Sequence, residues 1–342
     1  MNRIIISRTD NIGDVVLTLP MAGLIKSLSK DSYIIFLGKK YTAPVIALSQ
    51  FIDEFVDWDE LHKLEEEEKV KKIKSLNADC IIHVFPNIGV ASLAKKAGIK
   101  MRVGSSRKFF HLFTCNSFIN LKRKNTDLHE AQLNLKLLRF MGARELYSLD
   151  EIKDWYGFKK PLVDAHPFIS LLDPDKFNLI IHPKSKGSAR EWGANNFIKL
   201  SELLPLEKFK LFITGTAEEK DKISREITNK TDRFVDLSGK MNLDQLIRFI
   251  DKSDGILAAS TGPLHIAAAL SKNALGIYAP MRPIFPTRWA PIGKNAHFFV
   301  LNKNCNACKK SAKCTCIEEI NPIDVAQKLN SLYKQKFEQV SK

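Results

Sequence analysis

The sequence predicts an α/β protein built from two doubly wound halves. Its 342 residues exceed one ordinary domain, and a composition that is 44% hydrophobic and 27% charged can supply two cores. Short apolar runs of strand length alternate along the chain with longer amphipathic runs. Residues 255–278 show a strand, a tight turn, a helix, a turn and a strand in immediate succession. Together these observations favour parallel sheets covered by helices.

The first half begins with an apolar strand at residues 3–7, followed by a loop that carries two carboxylates. Asp10 and Asp14 lie on this loop, at the edge where open α/β sheets bind ligands. The alternative interpretation of Asp14 is a favourable charge at a helix N-terminus. Pro20 predicts a kinked or broken helix over residues 15–28. The sequence has no G-x-G-x-x-G dinucleotide fingerprint here.

Further α/β units follow in the first half. The patterns predict strands over residues 32–37 and 79–84 and helices over 61–76 and 129–141. Residues 153–174, which contain three prolines and mixed charges, are the best candidate for a linker between the halves.

One stretch of the first half, residues 84–126, contains no acidic residue and nine basic ones. We expect a basic loop that holds nucleic acid or lies on an anionic membrane. Ordinary surface charge is the alternative. Its densest basic cluster is Lys122, Arg123 and Lys124. The interleaved aromatic residues are Phe109, Phe110, Phe113 and Phe118.

The second half repeats the alternation and places three loops on one expected sheet edge. A strand over residues 178–182 leads into the loop 184–190, which is rich in hydroxyl groups and cations and therefore suits a diphosphate. A flexible basic loop is the alternative. A strand over 208–214 leads into the second loop, 215–219.

The third loop, residues 260–265, joins a strand to a helix. Thr261 suits a helix N-cap, Gly262 permits close backbone approach and Pro263 suits the first helical turn. Free N–H groups and the positive end of the helix dipole make such a terminus a phosphate site. His265, one turn further on, adds a second polar group. The alternative is an ordinary βα turn with a structural histidine.

The formal net charge of +15 favours an anionic partner, whether nucleic acid, an anionic membrane or a phosphorylated substrate. No apolar run reaches the length of a transmembrane helix, and the N-terminus has a strand pattern instead of a signal-peptide pattern. We therefore expect a cytoplasmic protein.

The cysteines fall into two groups. Cys80 and Cys115 are expected to be isolated, buried thiols. The other four could bind zinc, although the second pair is closer than in the usual C-x2-C knuckle. Reduced surface thiols are the alternative, and a disulfide is the least expected state in a cytoplasmic protein. The four clustered residues are Cys305, Cys308, Cys314 and Cys316.

Four segments together resemble the bacterial heptosyltransferases, glycosyltransferase family nine. Residues 7–20 read SRTDNIGDVVLTLP and look like the N-terminal signature of that family. Residues 179–192, 239–243 and 260–265 resemble its further motifs in the same order. A cysteine-rich segment before the last helix is also typical of it. The resemblance implies two Rossmann-like domains facing across a cleft, the GT-B type of fold.

The resemblance also implies a domain plan and an activity. An acceptor-binding domain would span residues 1–160, a donor-binding domain 175–325 and a final helix 322–342. The family moves a sugar, usually heptose from ADP-heptose, to the lipopolysaccharide inner core with inversion. The implied partners are a nucleotide-sugar donor, a lipopolysaccharide core or lipid A acceptor, and the inner face of the cytoplasmic membrane, where the protein would be peripheral. No cofactor, no catalytic metal and no nucleic-acid partner are expected.

The resemblance assigns roles to individual residues. Asp14 would take the proton of the acceptor hydroxyl, and Asp10 with the 122–124 cluster would face the acceptor. Glu219 would contact the donor ribose, and the Met241 backbone the nucleobase. The groups expected at the diphosphate are Ser185, Lys186, Arg190, Thr261, Gly262 and His265.

Ser260 is also expected at the donor, but it stands where the family commonly has the Asp thought to hold the donor sugar. This departure leaves the identity of the sugar open, heptose included. Two other functions stay open at this point: an enzyme resembling the nucleotide-sugar epimerases, and a non-enzymatic protein that binds an anionic polymer.

Overall fold

The computed structural model describes residues 2–123, 126–161, 167–282, 284–303, 305, 307–308 and 314–338. The chain divides into two compact units, Met1–Lys159 and Lys160–Lys342, called here the first and second units. In the described part of each unit, helices pack against one six-stranded sheet.

The sheet of the first unit is parallel throughout and doubly wound. Its strands are β1 (Arg3–Ser7), β2 (Tyr33–Gly38), β3 (Glu54–Asp57), β4 (Cys80–His83), β5 (Met101–Ser105) and β6 (Ser117–Ile119). They lie in the order β3-β2-β1-β4-β5-β6. The chain therefore winds outward from β1 in one direction, returns, and continues from β4 in the other.

The sheet of the second unit follows the same plan, again with parallel pairs. Its strands are β7 (Phe177–His182), β8 (Phe209–Ile213), β9 (Phe234–Asp236), β10 (Gly255–Ala259), β11 (Asn273–Tyr278) and β12 (Ala296–Val300). They lie in the order β12-β11-β10-β7-β8-β9. Both central strands, β1 and β7, are almost wholly buried because both faces of each sheet are covered.

The α-helices of the first unit cover its sheet and carry its connections. They are Ile12–Val16, Pro20–Leu28, Ala43–Ile46, Trp58–Lys63, Glu66–Ser75, Ile88–Lys96, His111–Thr114, Glu130–Leu135 and Leu149–Ile152. Those of the second unit are Ala194–Leu203, Lys220–Glu226, Leu243–Lys252, Gly262–Ala269, Pro286–Trp289 and Pro322–Phe337. Each unit has its own hydrophobic cluster, with Ile5, Ile35 and Ile81 in the first and Leu179, Leu211 and Leu257 in the second.

Several local predictions are confirmed, and others are wrong. The helix after β1 is broken before Pro20, as predicted. The predicted helix over 61–76 is instead two helices, because Glu65 forms a capping box with Glu68 and starts a new helix. The helix predicted over 129–141 tightens after Leu135 into a 3-10 turn.

The acid-free stretch 84–126 is not the basic loop that we expected. Its described residues include the helix Ile88–Lys96 and the strands β5 and β6. Burial explains the difference, because Val90, Leu93 and Val103 of this stretch belong to the core. Charge count alone does not show which residues of a stretch face inward.

The predicted linker, residues 153–174, begins too early. Residues Lys153–Trp155 form a 3-10 turn that packs on the helix Pro20–Leu28, and Phe158 forms a bridge with Ser49. This part therefore belongs to the first unit. Residues 162–166 of the predicted linker lie outside the described residues.

Candidate functional site

In each unit, the predicted site residues cluster at the switch point of the sheet, where the strand order reverses. In the first unit this point lies between β1 and β4, and the Asn87 side chain donates to the Thr9 hydroxyl (3.2 Å) across it. In the second unit it lies between β7 and β10, which are followed by the loops 183–193 and 260–261. Such crevices bind ligands because neighbouring loops diverge there.

At the switch point of the first unit, three carboxylates surround one buried guanidinium. Arg8 is 3% exposed. Its Nε donates to Asp10 (2.7 Å), and its terminal nitrogens contact Asp14 and, at 3.4 Å, Glu130. A second guanidinium, that of Arg123, also pairs with Glu130. Asp10, Asp14 and Glu130 thus share the guanidinium of Arg8, and Arg123 joins the cluster through Glu130.

Burial makes Asp14 a proton acceptor suited to near-neutral pH. Burial, together with the negative charges of Asp10 and Glu130, outweighs the attraction of Arg8 and raises the pKa of Asp14 to about 6. The pKa of Asp10 is also raised, chiefly by burial. The Asp14 side chain stays 17% exposed, so a substrate can reach it. A general base works best with a pKa near the working pH.

Arg123 is held inside the first unit and does not extend as a free surface cation. Besides pairing with Glu130, it donates to the Val84 carbonyl (3.2 Å) and to the Asn134 side chain (3.1 Å). Lys122 is exposed, as a surface role requires. Lys124 lies outside the described residues. Lys122 and Arg123 of the predicted cluster are therefore not equivalent.

In the second unit, hydrogen bonds link three of the loops that were expected to hold the donor. The Lys186 amide donates to Glu219 (3.3 Å), and the Lys186 ammonium pairs with Glu218 (3.0 Å). The Gly239 amide donates to the Gly215 carbonyl (2.9 Å). The structure thus brings the loops after β7, β8 and β9 together at one sheet edge.

The first of these loops is a compact turn. The Ser185 hydroxyl donates to the Ala189 carbonyl (2.8 Å), while Lys186 and Gly187 both take positive φ angles. Lys184 braces the turn from inside, since its buried ammonium pairs with Glu226 (2.6 Å) and Glu191 (3.1 Å). Arg190 is half-buried at the end of the turn.

Glu219 and Met241 lie on the two neighbouring loops. One Glu219 oxygen accepts hydrogen bonds from the Thr216 amide (2.9 Å) and hydroxyl (3.1 Å). This side chain therefore also caps the 3-10 turn Ala217–Glu219. Met241 is half-buried and directly precedes the helix that Asn242 caps. The contacts of Glu219 with the donor ribose and of the Met241 backbone with the nucleobase remain predictions.

The helix Gly262–Ala269 begins at the same sheet edge. Thr261 occupies its N-cap position but makes no side-chain cap, and its buried hydroxyl has no hydrogen-bond partner among the described residues. Thr261 is therefore the N-cap residue that the sequence predicts, but it lacks the side-chain hydrogen bond that such a residue usually makes. Ser260 is half-buried, and His265 is buried one turn into the helix. Gly262, half-buried at the first helical position, leaves its backbone N–H group at the positive end of the helix dipole.

The first unit also exposes an apolar surface, called here the Phe109 patch. Phe109 is 76% exposed and Phe113 61%, and their rings contact edge to face at 5.2 Å. The Ser106 amide bonds to the Ile119 carbonyl (3.1 Å), which joins this surface to the segment that precedes Lys122. Further exposed members of the patch are Arg107, Lys108, Leu112 and Phe118.

The four clustered cysteines converge in the second unit. Their Sγ atoms all lie within 4.8 Å of one another. All six cysteines of the chain are free thiols, and Cys80 and Cys115 are buried as predicted.

Comparison with known proteins identifies the family. The model of glycosyltransferase family 9 (heptosyltransferase) matches residues 68–317, well over half of the chain. The chain belongs to glycosyltransferase family 9. The two Rossmann-like α/β units agree with this assignment, and the predicted α/β fold class of the GT-B type is confirmed. The matched residues include the loops that were expected to hold the donor and the four clustered cysteines, whereas Asp14 precedes them.

Relatives and solved structures agree with membership of family 9. The lipopolysaccharide heptosyltransferase 3 of Escherichia coli K12 is 21% identical over 302 residues, 83% of each chain. A family 9 glycosyl transferase from Veillonella parvula has a TM-score of 0.80 at 19% identity, covering 98% of each chain. The E. coli ADP-heptose lps heptosyltransferase II has a TM-score of 0.72 at 17% identity, covering 98% of this chain and 99% of that one. At these identities the structural likeness concerns the fold.

Sequence reasoning missed Arg8 and Glu130, which organise the site around Asp14. Arg8 lies within the family 9 signature and is a cation directly after a strand with an apolar centre, which could have drawn attention to it. Glu130 offered no such signal, because its partner Arg8 is 122 residues away.

Proposed function

We propose that this glycosyltransferase of family 9 transfers a sugar from an ADP-activated donor to the inner core of lipopolysaccharide. Heptose is the sugar that we propose first. Family membership and the names of its relatives support the class of reaction. The observation that carries the proposal is the solvent-reachable Asp14, whose pKa burial raises to about 6 at the switch point of the first unit.

The proposed reaction is a single displacement with inversion. Asp14 accepts the proton of an acceptor hydroxyl, whose oxygen forms a bond to the anomeric carbon. The bond from that carbon to the diphosphate breaks, and its electron pair leaves with the diphosphate. Arg8 keeps the carboxylate oriented, since its guanidinium contacts Asp14 and is itself held by Asp10 and Glu130.

The second unit would stabilise the leaving diphosphate without a metal ion. Arg190, Lys186 and the N-terminus of the helix Gly262–Ala269 supply positive charge at one sheet edge. Lys186 would first exchange its exposed partner Glu218 for phosphate oxygens, which costs little because exposed ion pairs are weak.

The transferase proposal is tested with the purified full chain, ADP-heptose and a heptose-free lipopolysaccharide core. We expect the acceptor to gain one heptose by mass spectrometry, with inverted anomeric configuration by NMR. Neither Mg²⁺ nor Mn²⁺ should raise the rate. Release of ADP without acceptor, or failure of every donor in a panel of nucleotide sugars, would contradict the proposal. The panel is needed because Ser260 leaves the sugar open.

We further propose that the Phe109 patch holds the enzyme on the anionic inner face of the cytoplasmic membrane, where the acceptor would be met. Exposed aromatic rings beside exposed cations supply the two interactions that hold peripheral proteins on such bilayers. Among the described residues, no helix is both long and apolar enough to cross a bilayer. Residues 107–113 of the patch follow the carboxyl end of β5, and Asp14 follows the carboxyl end of the parallel strand β1, so both lie at the same sheet edge.

Vesicle binding tests the membrane proposal. Replacing Phe109 and Phe113 together by Ser should lower partitioning onto phosphatidylglycerol vesicles about tenfold or more, because two rings no longer leave water. Lys122→Ser should lower it about fivefold. Phe298→Ser, which removes a half-exposed ring of the second unit, is the matched control. Equal sedimentation of all variants over a range of salt would show that the patch does not bind membranes.

A further inference from the structure

The four cysteines of the second unit converge without forming disulfides. Cys308 Sγ lies 2.8 Å from Cys316 Sγ and 3.3 Å from Cys314 Sγ, and Cys305 Sγ lies 3.5 Å from Cys314 Sγ. In a tetrahedral site with zinc–sulfur bonds of about 2.3 Å, the sulfur atoms lie roughly 3.8 Å apart. One ion at the centre of this cluster would be within bonding reach of all four sulfurs.

The backbone around the cluster also suits a metal ion. The Cys308 amide donates to Cys305 Sγ (3.4 Å), a contact that stabilises negative charge on the sulfur. Cys308 and Cys316 are buried, and Cys305 and Cys314 are half-buried. Four protein ligands leave no open coordination position, which is the mark of a structural site.

We propose that Cys305, Cys308, Cys314 and Cys316 bind one structural Zn²⁺ ion. Four thiolates in a compact, closed arrangement select zinc among the divalent ions, since softer ligands favour thiophilic metals and zinc accepts tetrahedral geometry without penalty. Binding releases the protons of those thiols that are not already ionised, and no oxidant or reductant takes part.

The ion would fasten the cysteine segment to the core beside the loop that follows β7. Cys316 begins the 3-10 turn Cys316–Glu319, and Ile320 directly after it is buried in the core of the second unit. The Ile320 carbonyl accepts from the buried Trp192 indole (2.9 Å), and the Glu318 carbonyl accepts from Asn196 (2.7 Å). Loss of the ion would therefore loosen the support of Trp192.

Metal analysis of the purified full chain tests this site. After dialysis under reducing conditions, we expect about one zinc ion per chain by mass spectrometry. Cys308→Ser should remove most of it. Cys115→Ser, which changes a buried free thiol of the first unit, should retain it. Because metal content is measured on the free protein, its outcome does not depend on the transferase reaction.

Measurements on the wild-type chain test zinc binding even if Cys308→Ser does not fold. Titration with a mercurial should release the zinc as thiols of the cluster react, and a strong chelator should lower the melting temperature by several degrees until zinc is restored. A wild-type chain without metal, one with disulfides among the four cysteines, or equal metal loss in both variants would overturn the proposal. Iron in the site, recognised by its visible absorption, would overturn the assignment of zinc.

Discussion

Replacement of Asp14 by Asn is the sharpest test of the proposed base. Asn keeps the size of the side chain but cannot accept the proton of the acceptor hydroxyl. A positioned base contributes roughly 10²–10⁴-fold, so turnover should fall by that factor, equivalent to about 3–5 kcal/mol of barrier. ADP binding should be unchanged, because the residues that we propose to bind the donor lie in the second unit.

The pH dependence of kcat/KM provides a second test of Asp14 as the base. With the pKa of Asp14 at about 6, about nine-tenths of this carboxyl is ionised at pH 7 and about one-tenth at pH 5. The kcat/KM of the wild type should therefore fall nearly tenfold between these values. The residual activity of Asp14→Asn should lack this acid limb. Asp10→Asn, which removes a neighbouring carboxylate on the same guanidinium, is the matched control and should keep turnover within about tenfold.

Stability offers a readout that is independent of activity. Burial raises the pKa of Asp14 from its unfolded value to about 6, so its ionisation favours the unfolded chain. This carboxyl thus costs the wild type stability as the pH rises from about 4 to about 6. Asn lacks this ionisation. The free energy of unfolding of Asp14→Asn, relative to wild type, should rise by about 2–3 kcal/mol between pH 4 and pH 7 in urea titrations.

For Asp14→Asn, turnover within a few-fold of wild type together with an unchanged acid limb of kcat/KM would refute the assignment of Asp14 as the base.

Three further predictions concern Arg8, Arg190 and Gly23. Arg8→Lys should move the acid limb of kcat/KM above pH 6, since the guanidinium lowers the pKa of Asp14 and lysine reproduces only part of its contacts; an unmoved limb in the pH profile would argue against this role. Arg190→Ala should weaken ADP binding about 10–100-fold by calorimetry, and an unchanged affinity would place Arg190 outside the donor site. Gly23→Ala should lower the free energy of unfolding by about 1–3 kcal/mol in urea, because a methyl group there would lie 2.3 Å from the Trp155 carbonyl oxygen; an unchanged urea midpoint would show that the turn yields.

Local hydrophobic patterns in the sequence predicted much of the fold. The apolar runs that predicted the strands at residues 3–7 and 178–182 correspond to β1 and β7, the centres of the two sheets. A buried parallel strand must be apolar on both faces, so its signal is local. Where the pattern failed, as in the single helix predicted over 61–76, a capping interaction at Glu65 divided an otherwise continuous charged run.

The sequence by itself determined that a carboxylate, Asp14, follows the first strand and that hydroxyl-rich and glycine-rich turns follow the strands of the second half. These are properties of neighbours along the chain, because backbone preferences and side-chain periodicity act over a few residues. Only the tertiary structure decided the partners of those groups. Arg8 meets Glu130 across 122 positions, Arg123 turns inward, and four cysteines converge on one point. Burial and proximity set charge and pKa, and both arise when distant segments pack together.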